Sequence, residues 1–432
     1  MYSHFFLFHL GPEYIKIPVC SQGRNLGSRR SRDDKHMYTG GMIVTWYLFL
    51  ILFQSVKCYQ FVFVTCQAGM EKCIKNEVLS DSSYRFAFSR PGLLTFKVND
   101  EKVQNHLINS KFMRNFGYSI GNYEHIEDII AQAQLLRNTK NVNKLRLHVY
   151  CRDEGGLKID HPDYIKEKNI QVNELYKKLL EHSPSLWLNQ QLTDVEAQNG
   201  EVILDVIIGE QHEKAFVGYH IFDSKDNSNA LKWQHTKFPG NILPIQVPEQ
   251  APSRAYAKIE EVLQIYDINM SSDDVIVEVG SSPGGTSFSL LSRGVQKLYG
   301  VDPCPNDRLH APIVLNHPNF IPIKSKLEQL NYSNLPISAT WLLCDANIPP
   351  LEALPHLLKI AQRYSNTLKG MIFTCKINDE LFNDKPEVLL KYVDEIESKI
   401  HKTNLFRSVA FRQLVSNRQE VSLLAVTKKW PR

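Results

Sequence analysis

Four ionisable side chains stand out on separate stretches of the second half of the chain. SRAYAKIEE carries Lys258, LLCDAN carries Asp345, FTCKIN carries Lys376 and RQLVSNRQEVSLL carries Glu420. Taken singly, each has an ordinary reading: a solvated helix lysine, a helix-capping aspartate, a lysine stretching to the edge of an apolar strand, a surface ion-pair partner. Taken together at one end of a sheet, two ammonium and two carboxylate groups suit alkyl transfer to a poor nucleophile such as a sugar hydroxyl. A lysine serves as the base if its pKa falls, which partial burial and a second ammonium would both promote. Asp345 and Glu420 would then orient the two ammonium groups. With a sulfonium donor no metal is required, and holding the reacting atoms in line is worth up to ~7–11 kcal/mol.

The donor's place is suggested by VIVEVGSSPGGTSFSLL (Val275–Leu291), which reads as strand, tight turn, helix. The turn GSSPGG has Ser282 where a dinucleotide fingerprint needs its second glycine, and no Lys-Ser/Thr follows as in a phosphate loop. What remains suits S-adenosylmethionine, with glycines letting the backbone approach closely. Asp302, ending KLYGVD, is placed to accept both ribose hydroxyls of an adenosine. A plain glycine-rich turn is the competing reading.

The elements that must position these residues follow from hydrophobic periodicity. Strands are expected at Val275–Gly280, Lys297–Asp302, Asn319–Lys324, Ala339–Asp345, Gly370–Ile377, Phe406–Leu414 and Glu420–Lys428, separated by helical stretches. That alternation predicts an α/β, doubly wound, Rossmann-like domain over 251–432. Ahead of it, 59–222 reads as α+β. Strands fall at Gln60–Cys66, Leu145–Cys151, Glu201–Gly209 and Lys214–Phe222, a hairpin at Phe86–Val98 turns on Pro91–Gly92, and helices fall at Ala68–Leu79, Ile126–Arg137 and Asn173–Ser183. A polar linker over 223–250 joins the two. It holds Lys232, Trp233, His235 and Lys237, which suit either stacking on an unpaired base or packing of the loop onto the second domain.

The chain has 432 residues, enough for two or three cored domains, and a formal net charge of +4 that permits an anionic partner without demanding one. Its eight cysteines show neither CxxC pairs nor zinc spacing, which argues against a structural zinc or disulfide framework. Residues 1–58 read as a targeting leader or an upstream extension, with a membrane-proximal anchor as the competing reading. Their apolar run Met42–Val56 is short for a bilayer span, which needs ~20 residues, so no stable membrane span is expected. A monomer in the cytoplasm or mitochondrion is the expectation.

The second half resembles the FtsJ-type ribose 2′-O-methyltransferases, whose signature is a Lys-Asp-Lys-Glu tetrad beside an S-adenosylmethionine site. Within them it is similar to the bacterial large-subunit ribosomal RNA type, RlmM. APSRAYAKIEE (Ala251–Glu261), RQLVSNRQEV (Arg412–Val421), and FVGYHIF with the HTKFP stretch carry the likeness. The resemblance implies Lys376 as proton acceptor, and Ser253, Gly280, Ser282, Pro283, Gly284, Gly285, Asp302 and Asp345 as cofactor contacts. It also implies an N-terminal THUMP-like, ferredoxin-like RNA-binding module and an RNA substrate. Three positions depart from that family's pattern: Glu278 for Asp, Thr286 for Trp after the glycines, and Ser325 where an acid meets the adenine amino group. Two other functions compete. A base N-methyltransferase would need an Asn/Asp-Pro-Pro-aromatic motif, which DANIPPL lacks. A non-catalytic RNA-binding protein would not need the tetrad.

Overall fold

A computed structural model of the chain describes residues 60–98, 108, 110–155, 162–210, 212–223, 231, 235–304, 309–377 and 385–430. The expected leader, Lys232 and Trp233 lie outside these residues.

β-Branched and aromatic residues dominate the strands of the first unit: β1 (Gln60–Cys66), β2 (Tyr84–Arg90), β3 (Leu93–Val98), β4 (Met113–Tyr123), β5 (Arg146–Cys151), β6 (Val202–Ile208) and β7 (Ala215–Ile221). They form one seven-stranded sheet in the order β2-β3-β1-β4-β7-β6-β5, in which only β5 and β6 run parallel. Helices α1 (Glu71–Leu79), α2 (Ile126–Thr139) and α3 (Pro162–His182) accompany it. Strand β4 escapes the sequence pattern because MRNFGYSIGNY holds two glycines and its pairing with β7 shifts register between Ser119 and Gly121. Helix α1 starts three residues later than expected. Gly69 takes a left-handed turn ahead of it, and the Glu71 carboxylate accepts the Gly69 N–H at 2.9 Å. Helix α3 starts eleven residues earlier than expected, with Pro162 in its first turn, where proline is tolerated.

The second sheet has the order β10-β9-β8-β11-β12-β14-β13, built from β8 (Val275–Val279), β9 (Lys297–Asp302), β10 (Phe320–Lys324), β11 (Trp341–Cys344), β12 (Gly370–Lys376), β13 (Phe406–Arg412) and β14 (Glu420–Thr427). All neighbours are parallel except β14, which runs antiparallel between β12 and β13. Helices α4 (Ala255–Ile265) and α5 (Gly285–Ser292) bury Ile259 and Leu290 with Trp341 on one face. On the other face α7 (Pro350–Arg363) and α8 (Pro386–His401) bury Leu354 and Val393 with Phe373. A short helix, α6 (Pro312–Leu315), lies between β9 and β10 in the chain. The winding direction reverses between β8 and β11, and ligands of such sheets bind beyond the carboxyl ends of strands at that reversal.

The two sheets are not beads on a string. One apolar cluster runs from Val62, Ile74 and Phe96 in the first unit to Val277, Leu357 and Phe373 in the second, with α1 packed on α8. At its margin the Lys111 ammonium meets Asp394 of α8 at 2.9 Å, and the Gln413 N–H donates to the Lys111 carbonyl at 2.9 Å. The joining segment packs inward as well, with Leu231 against the second domain's apolar cluster and His235 on the first sheet. The His235 ring stacks on His220 of β7 and on Phe116 of β4, at centroid distances of 4.0 and 4.7 Å. Burial, with His220 beside it, holds the His235 pKa well below the usual histidine value. Lys237 pairs with Glu196 at the surface.

Asn241 fastens that segment. Its side-chain oxygen accepts from the Thr236 N–H at 2.6 Å, and its amide donates to the Arg114 carbonyl at 2.7 Å. Replacing Asn241 by Ala leaves both groups without this partner, at a position with φ 60°, so chemical denaturation should show a loss of about 2–3 kcal/mol. An unchanged midpoint would mean the segment is not fastened there.

Candidate active site

The four residues singled out by type meet. Lys258 lies in the first turn of α4, Asp345 directly follows β11, Lys376 ends β12 and Glu420 opens β14, where Lys376 and Glu420 are directly opposed partners. The Lys376 ammonium donates to Asp345 Oδ1 at 2.8 Å and to Glu420 Oε1 at 2.5 Å. The Lys258 ammonium lies 3.2 Å from Asp345 Oδ2 and 2.7 Å from Glu420 Oε2. Each carboxylate therefore bridges both lysines, closing a ring with no net formal charge. The side chains are 13–19 % exposed, open enough for a substrate atom to reach them.

The ring reverses one sequence-based expectation. Burial alone would lower the Lys376 pKa, but the carboxylates of Asp345 and Glu420 outweigh it and hold the amine above the ordinary lysine value. Burial would likewise raise Asp345, and Lys258 and Lys376 hold it below the ordinary aspartate value instead. The second ammonium does not dominate Lys376, because two carboxylates lie in direct contact with it.

Beside the ring lies the glycine turn. Gly280 follows β8 with φ +79°, and a Cβ there would stand 2.6 Å from the Ala346 Cα; a Cβ on Gly285 would stand 2.3 Å from Ser253 Oγ. Both glycines are required by the chain's own backbone and side chains, which draw the turn against the residue after Asp345 and against Ser253, just before α4. Between them stand Ser282, Pro283 and Gly284, the last with φ +112°. Asp302 ends β9, and its two carboxylate oxygens accept one backbone N–H each, from Ser282 at 3.1 Å and Cys304 at 2.7 Å. Each oxygen retains lone-pair capacity for a further donor such as a hydroxyl.

A fourth carboxyl completes the site. Glu278, 2 % exposed on β8, accepts a hydrogen bond from Ser287 at 2.5 Å. Burial, aided by the charges of Asp345 and Asp302, pushes its pKa up to about 8. It lines a small cavity of about 20 Å³ with Lys258, Thr286, Asp345 and Thr374. Glu278, Asp302 and Asp345 thus stand at or next to the carboxyl ends of three neighbouring strands. This donor set suits a ligand that brings positive charge and a vicinal diol, and S-adenosylmethionine has both. Among the other departures from the family pattern, Thr286 is buried in the first turn of α5 and lines that cavity, while the Ser325 hydroxyl donates to the Lys326 carbonyl at 2.9 Å.

Some polar neighbours carry no sequence signature. Ser281 Oγ and Cys304 Sγ both meet the His310 ring, at 2.8 and 3.2 Å, tying the glycine turn to the loop after β9. Only the apolar setting of α4 could have drawn attention to Glu260 and Glu261, which are 7 % and 2 % exposed. Among the described residues no group of three or more His, Cys, Asp or Glu side chains is placed to hold a metal ion, and no helix is long and apolar enough to cross a membrane.

The neutral Glu278 has a thermodynamic consequence. The unfolded chain releases its proton near the ordinary 4.5, whereas the folded chain keeps it to about 8. Folding therefore takes up a proton between those values, and wild-type stability falls as pH rises through them, by at most ~1.4 kcal/mol per pH unit from this group. Glu278→Gln removes that dependence, so its stability relative to wild type should climb steadily from pH 5 to 8. Parallel melting curves for the two proteins across that range would contradict it.

A family profile described as FtsJ-like methyltransferase matches residues 251–415. Ribosomal RNA large subunit methyltransferase M of Laribacter hongkongensis is 24% identical over 196 residues, covering 43% of this chain and 51% of the relative. The protein of the same name from Pseudoalteromonas translucida is 24% identical over 222 residues, covering 50% and 55%. The chain spans about half the length of these curated relatives. The crystal structure of Aeropyrum pernix fibrillarin with bound S-adenosyl-L-methionine overlaps 37% of this chain and 69% of that one, at 18% identity and a TM-score of 0.25. The matched residues 251–415 hold Lys258, Asp345 and Lys376 of the ring, so this stretch of the chain is similar to the FtsJ-like methyltransferases.

Proposed function

We propose that the protein is an S-adenosylmethionine-dependent RNA ribose 2′-O-methyltransferase acting on ribosomal RNA, with Lys376 as the general base. The observation that carries this reading is the closed ring of Lys258, Asp345, Lys376 and Glu420 next to the glycine turn. Both curated relatives described above are named as ribosomal RNA methyltransferases.

S-adenosylmethionine supplies a methyl group on a positively charged sulfur. On this chain, Asp302 would take the cofactor's ribose hydroxyls, with Ser253, Gly280, Ser282, Pro283, Gly284, Gly285 and Asp345 forming the rest of its cradle. Lys376 Nζ would receive the hydrogen of the substrate 2′-hydroxyl. To do so it must first be neutral, and Asp345 and Glu420 oppose that. Lys258 shares both carboxylates and so weakens their hold on any one amine. A cation bound beside the ring would shift Lys376 further toward the neutral form. The N-terminal α+β unit would act as the THUMP-like RNA-holding module, and its shared core with the catalytic domain supports a fixed arrangement.

Base N-methylation draws no comparable support: Pro349 and Pro350 serve as the cap and first residue of α7. Mapping ribose and base methylation in total RNA with and without the protein decides the matter. Loss of one 2′-O-methyl mark is expected. Loss of a base methyl, or no change, would overturn the reading.

Lys376→Ala should lower transfer by about a hundredfold to ten-thousandfold, while S-adenosylmethionine affinity by calorimetry stays within about twofold of wild type. An equal loss of cofactor binding would make the lysine a structural residue. In the wild type, the rate should still be rising above neutral pH, because the proton on Lys376 is held above the ordinary lysine value. A plateau reached below pH 6 would exclude Lys376 as the base.

A further inference from the structure

We propose that Glu261 is a positioning residue, which pins the loop between β13 and β14 to α4 and so holds Lys258 and Glu420 at bonding distance. The inference rests on the reading above for its link to catalysis, and on geometry for the rest.

Glu261 is 2 % exposed and lies three residues beyond Lys258, close to one turn along α4. Its carboxylate accepts the Val415 N–H at 2.9 Å, the Ser416 N–H at 2.8 Å and the Ser416 hydroxyl. Those donors stand four and five residues ahead of Glu420, in the loop that delivers Glu420 to the ring. Two backbone N–H groups aimed at a single buried carboxylate form strong, charge-assisted bonds with little freedom to slide. The loop's remaining slack is removed locally. Asn417 Oδ1 accepts from the Leu414 N–H at 3.1 Å and from Ser422 Oγ at 2.9 Å, and the Ile377 N–H donates to the Gln419 carbonyl at 2.9 Å.

Two further groups bear on Glu261. The guanidinium of Arg412, buried on β13, feels its negative charge, and the Tyr266 ring stands by Arg412. Glu260, the preceding residue, faces the other way. It takes Ser289 at 2.5 Å and the Arg293 guanidinium, both belonging to α5 and its C-terminal end. Adjacent carboxylates on α4 therefore bind opposite walls of the site: Glu260 the helix that starts at the glycine turn, Glu261 the loop that carries Glu420. Lys258 sits between these anchorages.

Loosening the Glu261 clamp moves Glu420 relative to the lysines. Glu420 and Asp345 are the groups that raise Lys376, with Lys258 the other charge in the ring. Displacing Glu420 therefore lowers the pKa of Lys376, a change that mere loss of stability would not produce.

The test uses the full chain with Glu261→Gln, which keeps the shape and loses half of the acceptor capacity, and Ser416→Ala, which deletes one donor. Competitive acetylation of lysines across pH, read by mass spectrometry, gives the Lys376 titration without turnover. A midpoint shifted to lower pH in Glu261→Gln is expected, and an unshifted midpoint in a folded variant overturns the proposal. With large-subunit ribosomal RNA as substrate, kcat should fall about tenfold or more for Glu261→Gln and about threefold for Ser416→Ala, at nearly constant cofactor affinity. A kcat equal to that of an active wild type overturns the link to catalysis. A wild type that transfers no methyl group to ribose overturns the parent reading instead, and leaves the lysine titration to decide the clamp.

Discussion

Two ammonium groups and two carboxylates in mutual contact form an arrangement in which removing one member leaves charge on its partners less well balanced. A partly buried charge is tolerable when paired, and breaking a buried pair by deleting one partner costs about 3–5 kcal/mol. Here each charge has two opposite neighbours, on elements far apart in sequence. Lys258 comes from the helix entering the domain, Asp345 from the middle of the sheet, Lys376 and Glu420 from an antiparallel pair at its far side. The ring is thus both a product of the fold and a fastening within it.

That double role explains why the pKa balance falls as it does. The general base proposed here would be most useful when neutral near working pH, yet the groups that place Lys376 also hold its proton. Placement and basicity compete, and in the free protein placement prevails. The second lysine tempers the conflict by sharing the same two carboxylates. Glu278 illustrates the opposite outcome close by: with burial and neighbouring carboxylates but no lysine partner, it is neutral up to about pH 8.

Much of this was legible in the amino-acid order because the relevant signals are local. An apolar strand followed at once by GSSPGG predicts the turn, and the alternation of strands and helices predicts the sheet that gathers the four residues. The direction of the Lys376 shift was not legible, since it depends on both carboxylates touching the same amine across three strands. Nor was β4, whose glycines and register shift hide its pattern. The packing of His235 depends on Phe116 and His220, which no spacing rule connects to it. Glu261 is the same case: a glutamate in a helix has no distinguishing mark until the loop it grips is known.

The apolar cluster common to both sheets has a consequence of its own. Units joined only by a tether can search a range of separations, whereas units built on one interior cannot change theirs without exposing that interior to water. On the proposed function, with the first sheet holding RNA, the span from grip to ring would be set in advance. The molecule would then behave as a caliper of constant opening, choosing its target by length as well as by chemistry.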